Sequence, residues 1–557
     1  MNYAWRLGFN KTPLVHESKP NAALPPLFLG FSNWKDEELK HLHRRTMEKA
    51  PETRIMNNTE VMEAIGQTSK VRNEESPKRQ KATVGEDIDI ISDLPESVLS
   101  HILSFLPTKD TVRTCVLSTR WKYMWKSVTN LHFDDKSYYG KKRIRKAFFM
   151  KCMDRVLLRY ANSAIQNFHL SCGRGYDESR VNAVISAVIR LKVQSLHINY
   201  NDESFVFSLS LFNCNSLIEL SLRMFCTVKV PTSICFPNLK ILDLFKVKFL
   251  NEDSFHSKQL LLSFPVLKVL NSSFCTWLNV KIVEIRAPAL ESFTSKYSKY
   301  HWMVDGSCDC SIKICAPCIT KFKYEGYLSE DFILPSSSSI VDAAVEVVTQ
   351  MVRPDQNPQM QEMGFRACML LKNLSNVKNL TLSTEIPQVL ARVEGLEAHL
   401  PTFDKLIHLK LSTLMGLRSL SRTLMDLFRS SPNLEYLVFV GGFSDWDNDD
   451  DLALELVPQC FLTHLKVVIY QNFNGDEHEL RLVKFLLKNL KVLEEMTISA
   501  SLDLNWQSSP IIMEMNRGSK KVSKKEAKKP LISKKEEAKK QLLSFPKASS
   551  SASIVFH

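Results

Sequence analysis

Four cysteines lie within the stretch CDCSIKICAPC, at positions 308–318 of the chain. Cys308 and Cys310 form a C-x-C pair, and Cys315 and Cys318 form a C-x-x-C pair. Cysteine thiolates with such spacings can supply the tetrahedral ligands of Zn²⁺, about 2.3 Å from the metal. Taken alone, the stretch would therefore predict a structural zinc site.

A sequence repeat gives these cysteines a different interpretation. The segment ICAPCITKF at 314–322 aligns with the earlier segment IRAPALESF at 285–293. In this alignment Cys315 takes the place of Arg286 and Cys318 takes the place of Ala289, on either side of the same Ala-Pro pair. We therefore interpret these cysteines as small residues of a repeat, and we predict no metal and no cofactor. A zinc protein remains a third-ranked alternative.

An acidic run, DWDNDDD at 445–451, could suggest calcium binding. An EF-hand loop needs Gly at its sixth position and Glu at its twelfth. Counting from Asp445, those positions hold Asp450 and Leu456, so the EF-hand is excluded. We interpret the run as a loop that follows a strand.

A Lys-rich segment at 517–540 supplies most of the net positive charge. It holds ten Lys, one Arg and three Glu, and so accounts for +8 of the net charge of +13. Lysines of this kind could bind nucleic acid through phosphate contacts. The segment has no interleaved aromatic residues, however, so we interpret it as a solvated insert and expect no nucleic-acid binding.

Sequence motifs of common enzymes are missing from the chain. None of G-x-G-x-x-G, G-x-x-x-x-G-K, H-E-x-x-H or G-x-S-x-G occurs in its sequence. The longest apolar runs are also shorter than the ~18 to 20 residues that span a bilayer. We therefore predict a non-enzymatic protein with no membrane partner. Its scattered cysteines are interpreted as reduced thiols, which predicts a location in the nucleus and/or the cytoplasm.

Apolar residues recur at three- and four-residue steps after Asp93, which predicts a helix with one apolar side. Ser92 or Asp93 could cap its start, and Pro107 would end it. A second helix is predicted through Val112 and a third from Ser118. The apolar residues of the first helix are Leu94, Val98, Leu99, Ile102, Leu103 and Leu106; those of the second include Cys115 and Val116, and the third carries Trp121 and Trp125.

The same residues resemble an F-box. The match runs from Asp93 to Trp125 and consists of D-L-P-E-x-x-L-x-x-I-L-S-x-L-P-x-K-D followed by C-x-L-S-x-R-W-x-x-x-W. The resemblance implies that this unit docks onto the Skp-type adaptor of a cullin-RING ubiquitin ligase; an ordinary three-helix bundle is the alternative. It implies that the docking surface or its support consists of Leu94, Pro95, Val98, Leu99, Ile102, Leu103, Leu106, Pro107, Val112, Leu117 and Trp121.

A pattern of the form L-x-x-L-x-L recurs through the rest of the chain. Its copies begin at 193, 217, 239, 267, 290, 319, 377, 406, 434 and 462, and the interval from 319 to 377 is twice the usual length. We predict one hidden copy at 336–360, which would divide that interval into two equal units. Spacings of about 20 to 29 residues are typical of leucine-rich repeats, in which each copy adds one strand to a curved solenoid.

Alternation along these strands assigns residues to two faces, with the leucines inside. The residues between the leucines then form an outer surface, which is the candidate site for a protein target. These residues are Ser195, His197, Glu219, Arg223, Asp243, Asn379, Thr381, His408, Lys410, Tyr436, Val438, His464 and Lys466.

The region from 460 to 499 predicts a strand, a turn at Asn474–Gly475, a helix and another strand. The helix has an apolar stripe of Leu480, Val483, Leu487 and Leu490. With the terminal FPKASSSASIVFH, the region is similar to the FBD region of many plant F-box proteins. The family pattern is interrupted here by the Lys-rich insert.

The predicted fold class is α/β: an N-terminal three-helix F-box, then a curved leucine-rich-repeat solenoid with a C-terminal FBD region, after a disordered leader. The resemblance implies the substrate-recognition subunit of an SCF-type ubiquitin ligase, with a Skp-type adaptor, a cullin and an unknown protein substrate as partners. The alternative is a non-catalytic repeat scaffold or nucleic-acid-associated protein that uses the basic insert.

The predicted boundaries are 1–86 (leader), 87–135 (F-box), 136–192 (helical linker and first repeat cap), 193–459 (repeats) and 460–557 (FBD region with insert 517–540).

Overall fold

The computed structural model describes most of the chain from residue 91 onward. The described residues are 91, 94–138, 142–160, 165–202, 206–207, 211–212, 214–225, 227–251, 259–296, 310–326, 328, 332–334, 339–347, 357–383, 385–412, 421–441, 457–500 and 537–556. The predicted leader, the caps Ser92 and Asp93, Cys308, the acidic run at 445–451 and residues 517–536 of the insert lie outside them.

In the part of the chain that the structure describes, fifteen parallel strands form the main sheet. In spatial order they are β1 (Asn130–Asp134), β2 (Asn167–Cys172), β3 (Ser195–Tyr200), β5 (Glu219–Met224), β8 (Ile241–Phe245), β11 (Val269–Ser273), β14 (Ser292–Lys296), β16 (Lys321–Gly326), β18 (Asp342–Val347), β19 (Asn379–Ser383), β20 (His408–Ser412), β21 (Tyr436–Val440), β22 (Val467–Phe473), β23 (Glu495–Ala500) and β24 (Ser553–Phe556).

Two smaller parallel sheets are formed by the middle of the chain. One contains β17 (Phe332–Ile333), β15 (Ser311–Cys315), β13 (Ile282–Arg286), β10 (Gln259–Ser263) and β7 (Ser233–Cys235). The other contains β12 (Thr276–Leu278), β9 (Lys248–Asn251), β6 (Thr227–Val230) and β4 (Val206–Phe207). In this part of the chain, strands of the small sheets connect the strands of the main sheet, whereas helices do so elsewhere.

Helices complete the described part of the fold. The α-helices are α1 (Glu96–Leu103), α2 (Thr108–Arg113), α3 (Lys142–Arg159), α4 (Glu178–Arg190), α5 (Asn357–Asn373), α6 (Glu385–Leu390), α7 (Leu396–His399), α8 (Ser421–Arg429), α9 (Gln459–Thr463) and α10 (Glu477–Asn489). Residues 537–544 are also helical. No helix of the described residues is both long enough and apolar enough to cross a membrane.

The leucine pattern places nine of its ten copies correctly. In each of these nine, the strand begins two residues after the first position of the pattern, as at Ser195 and Tyr436. The central apolar residue is buried in every case, from Leu196 (0% exposed) to Leu437 (0%). Because parallel strands pair without a register shift along this series, the apolar side chains stack in continuous buried rows.

The hidden copy is confirmed within the predicted stretch as β18, between β16 and β19. Its equivalent first position is Ile340, which is 2% exposed, so the long interval divides unequally rather than into two equal units. The copy was hard to recognise because the central inward residue is Ala343 rather than leucine. Alanine fills less of the core, and helix α6 packs closely here, with all residues from Ile386 to Leu390 buried.

A close approach of two helices explains one glycine. A Cβ atom at Gly364 of α5 would lie 2.4 Å from the backbone oxygen of Val389 in α6. Any other residue would force the helices apart, so the packing of α5 on α6 requires glycine here.

The copy predicted at 462 has the wrong register. Residues 459–463 form α9, and β22 begins only at Val467, which pairs with Tyr436 of β21. The true first position is Leu465, which is 0% exposed. Two leucines three positions apart both fit the pattern, and Pro458 starts a short helix that takes up the first of them.

The predicted third helix of the F-box is also wrong. Residues 119–123 form turns, and only Met124–Ser127 form a short 3-10 helix. Trp121 and Trp125 are nevertheless both buried, at 7% exposed. The first two helices are present, although α1 ends at Leu103, and Pro107 lies at the start of α2 instead of ending α1.

The predicted order of elements after residue 460 is confirmed, because a strand, a turn, a helix and a strand follow one another. Asp476 and Glu479 form a capping box at the start of α10. The Glu479 carboxylate is fully buried and accepts hydrogen bonds from the backbone N–H groups of Asn474, Gly475 and Asp476, at 2.8 to 3.2 Å. Burial raises the pKa of Glu479, and the three N–H donors oppose that rise.

Replacing Glu479 with Ala should destabilise the protein by about 1–3 kcal/mol, because the buried Tyr470 hydroxyl and three partly buried backbone N–H groups lose their acceptor. The measurement is the midpoint of thermal unfolding. Glu477→Ala is the matched control, since that side chain is exposed and pairs with Arg481 on the helix surface. Equal effects of the two substitutions would contradict the structural role of the Glu479 carboxylate.

Candidate interaction surfaces

The F-box region has a small core of its own. Leu99, Leu103, Trp121, Met124 and Val128 form a buried cluster. The partly buried Ile91, Leu94 and Leu106 pack against it. The guanidinium of Arg120 also donates a hydrogen bond to the backbone oxygen of Leu94, which ties the start of α1 to the turn before Trp121.

The eleven residues predicted for adaptor docking therefore differ in accessibility. Four are buried and can act only as support: Leu99, Leu103, Val112 and Trp121. Four are partly exposed: Leu94, Ile102, Leu106 and Pro107. Three are exposed: Pro95, Val98 and Leu117.

Sequence reasoning missed three apolar side chains that lie on the surface of this unit. Phe105 is 63% exposed, Val116 59% and Tyr123 52%. Together with Val98 (39%) and Leu117 (59%), they give the F-box region five exposed large apolar side chains between positions 98 and 123. Periodicity gave no signal for their exposure, because Phe105 lies three residues after Ile102 and seven after Val98 and so fits the spacing of the predicted stripe.

The F-box region covers the first edge of the main sheet. The backbone N–H of His132 in β1 donates to Thr108 Oγ1 of α2, at 2.7 Å. Tyr160, at the end of α3, is 2% exposed, and its hydroxyl donates to the backbone oxygens of Trp125 and Val128 at 2.7 and 2.8 Å. These contacts join the F-box helices and the repeats through buried groups.

On the outer face, three histidines lie on neighbouring strands. Pairing in register sets His132, His169 and His197 side by side. Their ring centroids are 4.4 and 6.0 Å apart. Burial, together with the neighbouring His132 and His197, lowers the pKa of His169 to about 4.

The hydrogen bonds around His197 do not form a catalytic triad. Ser195 Oγ lies 2.9 Å from His197 Nε2, but the nearest carboxylate oxygen of Glu219 is 3.7 Å from that same nitrogen. A triad needs the carboxylate on the opposite nitrogen of the ring. Ser195 also donates directly to Glu219 at 3.1 Å, so these three side chains form a local polar cluster.

The central part of the outer face carries ion pairs between adjacent strands. Arg223 pairs with Asp243 at 3.3 Å, Lys296 with Glu325 at 3.4 Å, and Lys323 with Glu346 at 3.0 Å. Each pair is partly exposed and contributes little stability. Their effect is to neutralise the face locally. Two predicted outer residues, Asn379 and Thr381, are present on β19, where Asn379 donates to Asp342 at 2.5 Å.

Two of the predicted outer residues are wrong. His464 lies in the turn after α9, and Lys466 precedes β22, because the register at this copy is shifted by three positions. The outer positions of β22 are Val467, Ile469 and Gln471, which lie beside Tyr436, Val438 and Val440. The other predicted outer residues lie on strands of the main sheet, although Ser195 is almost buried at 8% exposed.

The cysteine-rich stretch follows the predicted alignment. Arg286 pairs with Cys315 and Phe293 pairs with Phe322. Cys315 Sγ lies 4.0 Å from the buried Glu284 carboxylate, Cys318 is exposed in the turn, and Cys310 is buried. Within the described residues, no group of three or more His, Cys, Asp or Glu side chains could hold a metal ion.

An F-box-like sequence is followed here by a long parallel sheet of leucine-rich segments, and comparisons with known proteins find the same combination. Family models match for "F-box domain" at residues 91–133 and for "FBD" at residues 455–498. The chain belongs to the F-box/FBD/LRR-repeat proteins.

Relatives in Arabidopsis thaliana resemble most of the chain. F-box/FBD/LRR-repeat protein At1g78750 is 27% identical over 79% of this chain and 96% of its own length. FBD-associated F-box protein At1g66310 is 30% identical over 76% and 93%, and F-box/LRR-repeat protein At4g14103 is 30% identical over 63% and 92%.

Replacing Tyr160 with Phe should destabilise the protein by about 1–3 kcal/mol, because two buried carbonyl groups lose a donor. Hydrogen exchange of the backbone amides near Val128 should accelerate in this variant. Tyr123→Phe is the control, since that ring is exposed. If exchange near Val128 is unchanged, the Tyr160 hydroxyl does not hold the two parts together.

Acidification should destabilise the protein through His169. Its pKa is lowered in the fold relative to 6.5, so its neutral form stabilises the fold above that value, and this contribution is lost as the pH falls from 6.5 towards about 4. The free energy of unfolding should therefore fall between pH 7 and pH 5, and His169→Asn should make this fall smaller by about 1 kcal/mol. The expected difference is small because the ring is partly exposed. Unfolding by denaturant at pH 7 and pH 5 measures it, and His101→Asn, on the exposed surface of α1, is the control. An equal pH dependence in all three proteins would contradict the prediction.

Proposed function

We propose that this chain is the substrate-recognition subunit of an SCF-type, cullin-RING E3 ubiquitin ligase. F-box proteins with leucine-rich repeats are generally SCF substrate receptors, and the chain belongs to such a family. In this role the F-box binds a Skp-type adaptor, and through it a cullin, while the repeats bind a protein target. The chain performs no bond chemistry of its own.

One observation supports the adaptor-binding role above the others. Val98, Phe105, Val116, Leu117 and Tyr123 are exposed, whereas the buried apolar residues of this unit pack into its core. Soluble proteins rarely expose a concentrated group of large apolar side chains unless it binds a partner. Thr108 of the same unit contacts β1 and is buried, whereas these five side chains remain exposed and available to an adaptor.

The repeats supply the second binding surface. We infer that the fifteen parallel strands, which advance by one leucine-rich unit each, form a leucine-rich-repeat solenoid whose outer face is open to a target. A target held there is brought near a ubiquitin carrier on the same assembly. The rate gain would come from effective concentration and orientation, which require a stiff connection between the two surfaces.

We propose that the protein acts in the nucleus and/or the cytoplasm. The proposal is based on the interpretation of its cysteines as reduced thiols, which are typical of those compartments.

Charge introduced on the exposed apolar surface should abolish adaptor binding. In Phe105→Asp/Leu117→Asp, two large apolar contacts are replaced by carboxylates, and the affinity for a purified Skp-type adaptor should fall at least a hundredfold. Both side chains are exposed, so the fold should be retained. Co-purification and calorimetric titration measure the effect.

Leu158→Asp is the matched control, since this side chain is 74% exposed on α3, outside the F-box match. It should bind the adaptor as the unaltered chain does. Full-affinity binding by the double variant, or no binding by the unaltered chain, would overturn the proposed function.

A further inference from the structure

The outer face becomes apolar on strands β21 and β22, near its C-terminal end. On β21 its three outer positions are Tyr436, Val438 and Val440, and on β22 the adjoining positions begin with Val467 and Ile469. All five side chains are partly exposed. We call them the apolar patch. On no other described strand of the main sheet are the first three outer positions all apolar.

A lysine borders the apolar patch on one side. Lys410 of β20 pairs in register with Val438, and its side chain is exposed. Arg223, Lys296 and Lys323, in the middle of the outer face, have partner carboxylates on neighbouring strands. For Lys410 the residues that the structure describes provide no such ion pair.

The opposite side of the patch is acidic. Glu495 of β23 pairs in register with Val467, and its carboxylate accepts a hydrogen bond from Thr497 Oγ1 at 2.5 Å. His408 stacks on Tyr436 with ring centroids 4.3 Å apart, which fixes the aromatic ring at the β20 side. The patch is therefore bounded by a cation on β20 and by an anion on β23.

We propose that the apolar patch binds a target segment that carries a branched or aromatic apolar residue and, near it, a carboxylate directed to Lys410. This inference rests on the proposed function, because it names the chemistry that the repeats recognise. Neighbouring strands are about 4.8 Å apart, so Lys410 lies roughly 5–10 Å from the middle of the patch. An extended segment rises about 3.3 Å per residue, so the carboxylate belongs two or three positions from the apolar side chain.

Charge complementarity selects this occupant. A basic segment would meet Lys410 at one border, and an entirely apolar segment would leave that lysine covered without a counterion. The acidic border at Glu495 also gives the segment a direction, with its carboxylate on the β20 side. Val467 and Ile469 lie within the FBD match, so the FBD strand completes the patch that β21 begins.

The apolar contact should contribute most of the affinity and Lys410 most of the sequence preference. Burying one large apolar side chain changes binding by at least tenfold, whereas an exposed ion pair changes it by about fivefold or less. The two contributions can therefore be separated by substitution.

Selection from a library of displayed random peptides of about 12 residues, long enough to cross the patch, tests the proposal on the immobilised full-length chain. The selected peptides should share an apolar residue with Asp or Glu two or three positions away. Lys410→Glu should change that preference from acidic to basic residues. Val438→Thr, which keeps the side-chain shape, should weaken binding of a selected peptide at least fivefold.

Lys405→Glu is the control, because that exposed lysine lies in the turn before β20. It should leave the selection unchanged. Peptides without the apolar and acidic residues, a preference unaffected by Lys410→Glu, or no enrichment at all would overturn the proposal. Adaptor binding is measured separately on the same chain, so loss of the proposed function would be seen independently of the peptide result.

Discussion

In-register pairing of parallel strands is the constraint on which the rest of this structure depends. Each inner strand of the main sheet needs a neighbour on both sides, and the buried rows of leucine exist only while that register holds. Strand β1, at the edge of the sheet, has a neighbouring strand on one side only. The N–H of His132 in that strand meets Thr108, and helix α2 contacts the strand, so the F-box region acts as the cap that begins the sheet.

This arrangement gives the two binding surfaces a fixed relation. The exposed apolar side chains of the F-box belong to a unit that is joined to β1 and α3 through Thr108 and Tyr160. The outer face then passes from histidines to ion pairs and finally to apolar residues on β21 and β22. A protein bound at the far end is therefore held by the same continuous sheet that begins at the F-box.

Sequence reasoning works well here where one residue type repeats at a fixed distance. Nine strands were placed to the residue, and the alignment of Cys315 with Arg286 correctly predicted a strand pairing. It failed at 462, where Pro458 starts a helix. It found the hidden copy but not its exact position, because Ala343 stands where the pattern has leucine. The strands β1 and β2 were missed although VTNLHF at 128–133 and IQNFHL at 165–170 fit the apolar pattern, because the interval between them is longer than that of the repeat. Which F-box side chains are exposed depends on tertiary packing, and periodicity alone cannot show it.

The pairing of β23 with β24 shows that the register of the sheet does not depend on how many residues connect two neighbouring strands. Glu495 lies beside Ser553, although a long connection intervenes, and the alternation of faces is the same as between copies that follow one another closely. Connections between strands can therefore lengthen or shorten without moving any side chain of the outer face. In evolution this allows the recognition surface and the loops to diversify independently.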